Sequence, residues 1–163
     1  MRKILIIGAG KSTSYLMSYL FDKAEAEDLE ITVGDVFVAN AQKAINNHPR
    51  GKAVTLDVFN KSNREEAIEQ VDLVISMLPA RYHMEVAKDC IKFGKHLVTA
   101  SYVSQEMESL NLSAKNKGLV FMNEIGVDPG LDHMSAMKVI DSIRDKGGKM
   151  LLFESFTGGL IAP

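Results

Sequence analysis

The chain has 163 residues, 46% of them hydrophobic and 25% charged, the size and composition of one folded unit with its own core. Nineteen basic against 21 acidic residues leave a formal net charge of −2 with no basic arm or acidic tail, so the footprint of a nucleic-acid binder is missing, and the lone cysteine, Cys90, excludes an intramolecular disulfide and a multi-thiolate metal site. No run approaches the roughly 20 apolar residues of a membrane helix, and the apolar stretch after Met1-Arg2-Lys3 is too short for a signal peptide, so a cytoplasmic protein without membrane partners is expected.

The first strand is expected at Lys3–Ile7, where Leu5-Ile6-Ile7 is apolar throughout and suits a strand covered on both faces. It runs into Gly8-Ala9-Gly10-Lys11-Ser12-Thr13, ahead of a helix near Ser12–Phe21. Gly8 and Gly10 fit the first two positions of a dinucleotide fingerprint. One makes the tight turn; the other lets backbone approach a pyrophosphate at the helix N-terminus. Thr13 stands third, where glycine or alanine is usual, and a plain strand-to-helix turn is the alternative reading. Lys11, Ser12 and Thr13 complete the candidate phosphate loop. The second strand, Glu30–Gly34, ends at Asp35. A carboxylate there accepts hydrogen bonds from the adenosine ribose hydroxyls and repels a 2′-phosphate, and Val36 is not the arginine that would welcome one. NAD is therefore expected as the cofactor ahead of NADP. The other reading of Asp35 is a cap on the next helix, Ala39–Ile45.

Beyond the turn-rich Asn46–Gly51, a third strand at Ala53–Leu56 leads to Asp57, a candidate for the adenine edge or a turn carboxylate. A helix at Arg64–Gln70 and a strand at Asp72–Ser76 follow. In the next helix, Tyr82–Phe93, one face carries Val86, Ala87, Cys90 and Ile91, which makes Cys90 a core residue. Then come a strand at His96–Thr99, a helix at Gln105–Lys117 and a strand at Leu119–Asn123. A helix at Asp132–Lys146 aligns Met134, Met137, Ile140 and Ile143, and a last strand is expected at Met150–Thr157. Alternating strands and helices imply right-handed crossovers. The expected fold is α/β, a Rossmann-like doubly wound parallel sheet with helices on both faces.

In such sheets ligands sit beyond the carboxyl ends of the strands. Three loops leave those ends with unusual chemistry: Ser76-Met77-Leu78-Pro79-Ala80, Ala100-Ser101-Tyr102-Val103-Ser104, and Glu124 through His133. Ser76, Leu78, Pro79, Thr99 and Ser101 are expected against the cofactor. Tyr102 is the candidate proton donor or acceptor, and Asp128 the candidate base or orienting carboxylate. A surface tyrosine and an Asp-Pro-Gly turn are the plainer readings, and Asp132 is a candidate helix cap. No metal is expected, since Pro129-Gly130 favours a turn and no His-x-x-x-His spacing occurs. His48, His83 and His96 show no partner in the sequence.

On these loops the chain resembles the saccharopine dehydrogenase family, above all its glutamate-forming members. The segments that carry the resemblance are Leu73-Val74-Ile75-Ser76-Met77-Leu78-Pro79, Gly94 through Ser104, Met122-Asn123-Glu124-Ile125-Gly126-Val127-Asp128-Pro129-Gly130-Leu131-Asp132-His133, and Gly158-Gly159-Leu160-Ile161-Ala162-Pro163. The resemblance implies reversible hydride transfer between a nicotinamide and the secondary-amine carbon of saccharopine. Water then splits the imine into aminoadipate semialdehyde and glutamate. It places Tyr102 and Asp128 in the catalytic region. Family members usually carry cysteine where this chain has Thr157, and NADP-dependent members carry a basic residue where it has Val36. Residues 1–157 are expected as the nucleotide-binding domain, with 158–163 starting the connection to a substrate domain absent from the sequence. The chain alone is therefore expected to be inactive. Its expected partners are a small amino-acid substrate and, through that missing domain, a second copy. Carboxynorspermidine and homospermidine synthases are the alternative enzymes, and a non-catalytic NAD-binding redox sensor is the alternative of another class.

Overall fold

The computed structural model describes residues 1–156 and 158. Six strands build one sheet: β1 (Arg2–Ile7), β2 (Leu29–Asp35), β3 (Gly51–Thr55), β4 (Leu73–Ser76), β5 (His96–Thr99) and β6 (Phe121–Met122). Their order is β3-β2-β1-β4-β5-β6 and every pairing is parallel. This is the expected Rossmann-like doubly wound sheet. The helices are α1 (Ser14–Lys23), α2 (Val38–Ile45), α3 (Lys61–Glu69), α4 (His83–Phe93), α5 (Gln105–Ser109), α6 (Asn111–Asn116) and α7 (Leu131–Asp145).

The side-chain alternation of a strand splits β1 between two cores. Leu5 and Ile7 join Val74, Leu97 and the α3–α4 residues Ile68, Val86 and Cys90. Ile4 and Ile6 join Ile31, Val33 and the α1–α2 residues Met17, Phe21, Ala41 and Ile45. Both faces of β1 are thus covered, as its unbroken apolar run requires. A buried ion pair, Arg64 Nε to Asp89 Oδ2 at 2.6 Å, ties α3 to α4, and the same guanidinium donates to the Val58 carbonyl. Cys90 is fully buried, and burial together with neighbouring Asp89 pushes its thiol up to about 12.

Four expectations change. The helix expected over Gln105–Lys117 is two short ones broken at Leu110. There the Ser109 hydroxyl donates to the Glu106 carbonyl at 2.6 Å and competes with the helical ladder. The strand expected at Leu119–Asn123 shrinks to Phe121–Met122 at the sheet edge. The aligned face of α7 buries nothing: Met134 and Met137 are 52% and 44% exposed. Residues Met150–Phe156 form no strand, and Thr157 lies outside the described residues. Leu151, Leu152, Phe153 and Phe156 are all exposed. Their apolar pattern finds no strand edge to pair with among the described residues, and an unpaired strand does not persist.

Candidate functional site

The sheet order reverses between β1 and β4, so the crevice of this fold opens beyond the carboxyl ends of those two strands. Gly8 follows β1 with φ of +103°, and a Cβ built on it would lie 3.2 Å from the Met77 carbonyl oxygen. Only glycine suits both the backbone and the close approach of the β4 loop. At Gly10 the situation is opposite: φ is −74° and a Cβ would meet nothing within 4 Å. The space above Gly10 is open for a ligand. Lys11–Thr13 form a 3-10 turn leading into α1, and Lys11 and Ser12 are exposed. Thr13 is buried, and its hydroxyl donates to the Gly10 carbonyl at 2.8 Å, so the unusual third residue closes the turn from within.

Asp35 ends β2 and is fastened on both carboxylate oxygens. Oδ2 accepts the Ala9 N–H at 2.9 Å; Oδ1 accepts the Phe37 N–H at 2.9 Å and the Asn40 amide at 3.1 Å. Its carboxylate therefore stands beside the phosphate turn, with Val36 exposed next to it. The N-terminal cap of α2 is Phe37, so Asp35 braces the turn before that helix without capping it. Asp57 closes a turn after β3 by accepting the Phe59 N–H at 2.9 Å.

On the other side of the crevice, Ser76 ends β4 fully buried, Leu78 packs on the core, and exposed Pro79 leads into the turn before α4. Thr99 ends β5 buried and donates to Asn123 Oδ1 at 2.9 Å. Beyond it, the N–H groups of Glu124 and Ile125 donate to the carbonyls of Ser101 and Thr99 at 3.1 Å each. A Cβ on Gly126 would lie 2.7 Å from the Ala100 carbonyl oxygen, and one on Gly130, at φ +145°, would run into the Gly126 backbone. These two glycines let the loop fold down on β5. The result is that Tyr102 and Asp128 meet: the phenol donates to Asp128 Oδ1 at 2.7 Å. Donation to that carboxylate, more than any other cause, raises the Tyr102 pKa.

Asp132 does not cap α7, whose N-cap is Gly130; its Oδ1 instead accepts the Gly130 N–H at 2.9 Å and pairs with His133 Nδ1 at 2.7 Å. No metal-binding group of His, Cys, Asp and Glu occurs among the described residues.

One site residue escaped the sequence. His83, the first residue of α4, is buried with Nδ1 2.9 Å from Ser76 Oγ and Nε2 2.9 Å from Ser101 Oγ. Burial lowers its pKa. The only signal was a serine at each of two neighbouring strand ends, and nothing in either spacing points to a histidine between them.

Residues 4–122 match the family described as saccharopine dehydrogenase NADP binding domain, and residues 126–163 match the saccharopine dehydrogenase C-terminal domain. The chain belongs to the saccharopine dehydrogenase family. A saccharopine dehydrogenase (NADP(+), L-glutamate-forming) of Schizosaccharomyces pombe is 42% identical over 163 residues, all of this chain and 36% of that protein. The alpha-aminoadipic semialdehyde synthase of Arabidopsis thaliana is 37% identical over 98% of this chain and 17% of its own length. Among solved structures, apo saccharopine dehydrogenase (L-Glu forming) from Saccharomyces cerevisiae aligns with a TM-score of 0.77 at 33% identity, covering 90% of this chain and 32% of that one. The chain thus spans about a third or less of the saccharopine dehydrogenase family members it matches here.

Proposed function

We propose that this chain forms the dinucleotide-binding part of a saccharopine-type oxidoreductase of lysine metabolism, converting saccharopine reversibly to aminoadipate semialdehyde and glutamate. The observation that carries this reading is the Tyr102–Asp128 pair, set on the β5–β6 side of a glycine turn that leaves open space for a pyrophosphate. When bound, the nicotinamide supplies the hydride acceptor and donor. The chain's own residues do the rest. Gly8, Gly10 and the Lys11–Thr13 turn hold the diphosphate, and Asp35 holds the adenosine ribose. Tyr102 keeps its proton on Oη and orients Asp128, whose second oxygen is left to take a proton from the amine or from water.

Saccharopine brings three carboxylates, while the crevice loops themselves carry Glu124, Asp128 and Asp132. Arg81 is spent over the Tyr82 ring, 4.7 Å from its centroid. The cations that hold the substrate therefore belong to a substrate domain, whose closure also excludes bulk water.

For the cofactor we propose NAD(H) ahead of NADP(H), because a 2′-phosphate would meet the Asp35 carboxylate with Val36 beside it. The relatives named for NADP(+) favour the other choice. So does a groove lined by Lys11, Asn40 and Lys43, which puts two cations near the same end of the site. Calorimetry with NADH and NADPH decides between them. The expected result is NADH binding at least tenfold tighter, and no oxidation of saccharopine by this chain alone. Tighter NADPH binding overturns the cofactor choice; failure to bind either dinucleotide overturns the function.

A further inference from the structure

We infer that His83 is a positioning residue that turns the Ser101 hydroxyl outward as a hydrogen-bond donor to the nicotinamide half of the cofactor. The inference rests on the dinucleotide reading above and adds a residue and a tautomer to it.

The geometry is a chain of three polar side chains spanning two strand ends. Ser76 closes β4, Ser101 lies just past β5, and the His83 ring bridges their hydroxyls at 2.9 Å on each side. Met77, the residue after Ser76, is the one whose carbonyl packs on Gly8. The relay therefore begins beside the phosphate turn and ends next to Tyr102.

A neutral imidazole has one donor and one acceptor nitrogen, so its two neighbours cannot play the same part. Ser76 settles which is which. It is fully buried, and His83 is its sole side-chain hydrogen-bond partner among the described residues. Were Nδ1–H to donate to Ser76, the serine proton would be left buried without an acceptor, a costly arrangement. The Ser76 hydroxyl therefore donates to Nδ1, and the proton of the ring sits on Nε2. Nε2–H in turn donates to Ser101 Oγ and occupies one of its lone pairs. The Ser101 proton is left free to point into the crevice, where Ser101 is only partly buried. Burial keeps the ring neutral, which the arrangement requires.

An acceptor on the nicotinamide half, a ribose oxygen or the carboxamide carbonyl, fits this donor. ADP carries the adenosine and diphosphate but neither the second ribose nor the ring, so it does not reach Ser101.

Two measurements on this chain test the inference. Nitrogen-15 NMR of the His83 ring at pH 7 is expected to show the Nε2–H tautomer; an Nδ1–H tautomer or an imidazolium overturns it. Titrations of His83→Phe with NADH and ADP are expected to weaken NADH about tenfold and ADP less than about twofold. His83→Gln, whose amide reaches the Nε2 position, is expected to recover part of the loss. Equal weakening of both ligands means that His83 only supports packing, and overturns the inference. Should His83→Phe fail to fold, Ser101→Ala, which leaves the buried half intact, is read with the same two ligands and the same criterion. Wild-type protein that binds neither NADH nor ADP overturns the dinucleotide reading itself.

Discussion

Tyr102 holds its proton more firmly than a free phenol because its hydroxyl donates to a carboxylate 2.7 Å away, and deprotonation would place two anions side by side. Tyr102 therefore keeps its proton and orients Asp128, the group proposed above to take one. In a polypeptide that also carries the substrate domain, Tyr102→Phe and Asp128→Asn should each lower kcat by about 10²-fold or more, the scale of general acid–base catalysis. Both side chains are exposed and neither is part of a core cluster, so NADH affinity and Tm should stay near those of the wild type. Steady-state kinetics beside calorimetry checks this. Undiminished turnover in both variants removes the assignment.

At the scale of the element, the β1–α1 turn separates two jobs that one motif performs. Gly8 is demanded by its positive φ and by the Met77 carbonyl; Gly10 is demanded by neither. Gly8→Ala should therefore cost about 1–3 kcal/mol of stability and weaken NADH binding as well. Gly10→Ala should fold with nearly unchanged Tm yet bind NADH at least tenfold more weakly, because its methyl group would stand where the pyrophosphate approaches. Thermal melts and NADH titrations of the two variants give the comparison. Full NADH affinity in Gly10→Ala would sink the placement of the diphosphate. The same contrast shows what a sequence can and cannot carry. The parallel sheet was legible because runs such as Leu5-Ile6-Ile7 are apolar on every residue, a local property. Tyr102 and Asp128 could be picked out one by one, but their contact depends on Gly126 and Gly130 letting a loop close on β5. His83 was illegible because its partners meet only once β4 and β5 have paired. The strand expected at Met150–Thr157 is absent over Met150–Phe156 for the converse reason: its pattern is local, whereas a strand needs a neighbour.

At the scale of the whole molecule, His83 couples the site to acid stability. Its pKa is lowered by burial, while in the unfolded chain it takes up a proton near 6.5. Below that pH the unfolded state binds more protons than the folded state, so stability falls as pH drops from 6.5 toward the lower folded value. The carboxylates Asp28, Glu65 and Glu85, held low by their cationic partners, contribute only in a more acidic window. Melting curves between pH 7.5 and 5 should show Tm falling, with a flatter profile in His83→Gln; identical slopes in the two proteins would rule out this linkage. The sheet order has a consequence of another kind. Within this fold β1 leaves the ribosome before the strands that flank it, yet it lies in the middle and needs neighbours on both sides. Ile4 pairs with Ile31 on one flank and must await Leu73 on the other. At ordinary rates of synthesis that second flank stays open for on the order of several seconds. During that time the apolar run Leu5-Ile6-Ile7 has one bare edge, so nascent molecules whose synthesis has not yet passed Ser76 are the ones a chaperone should hold.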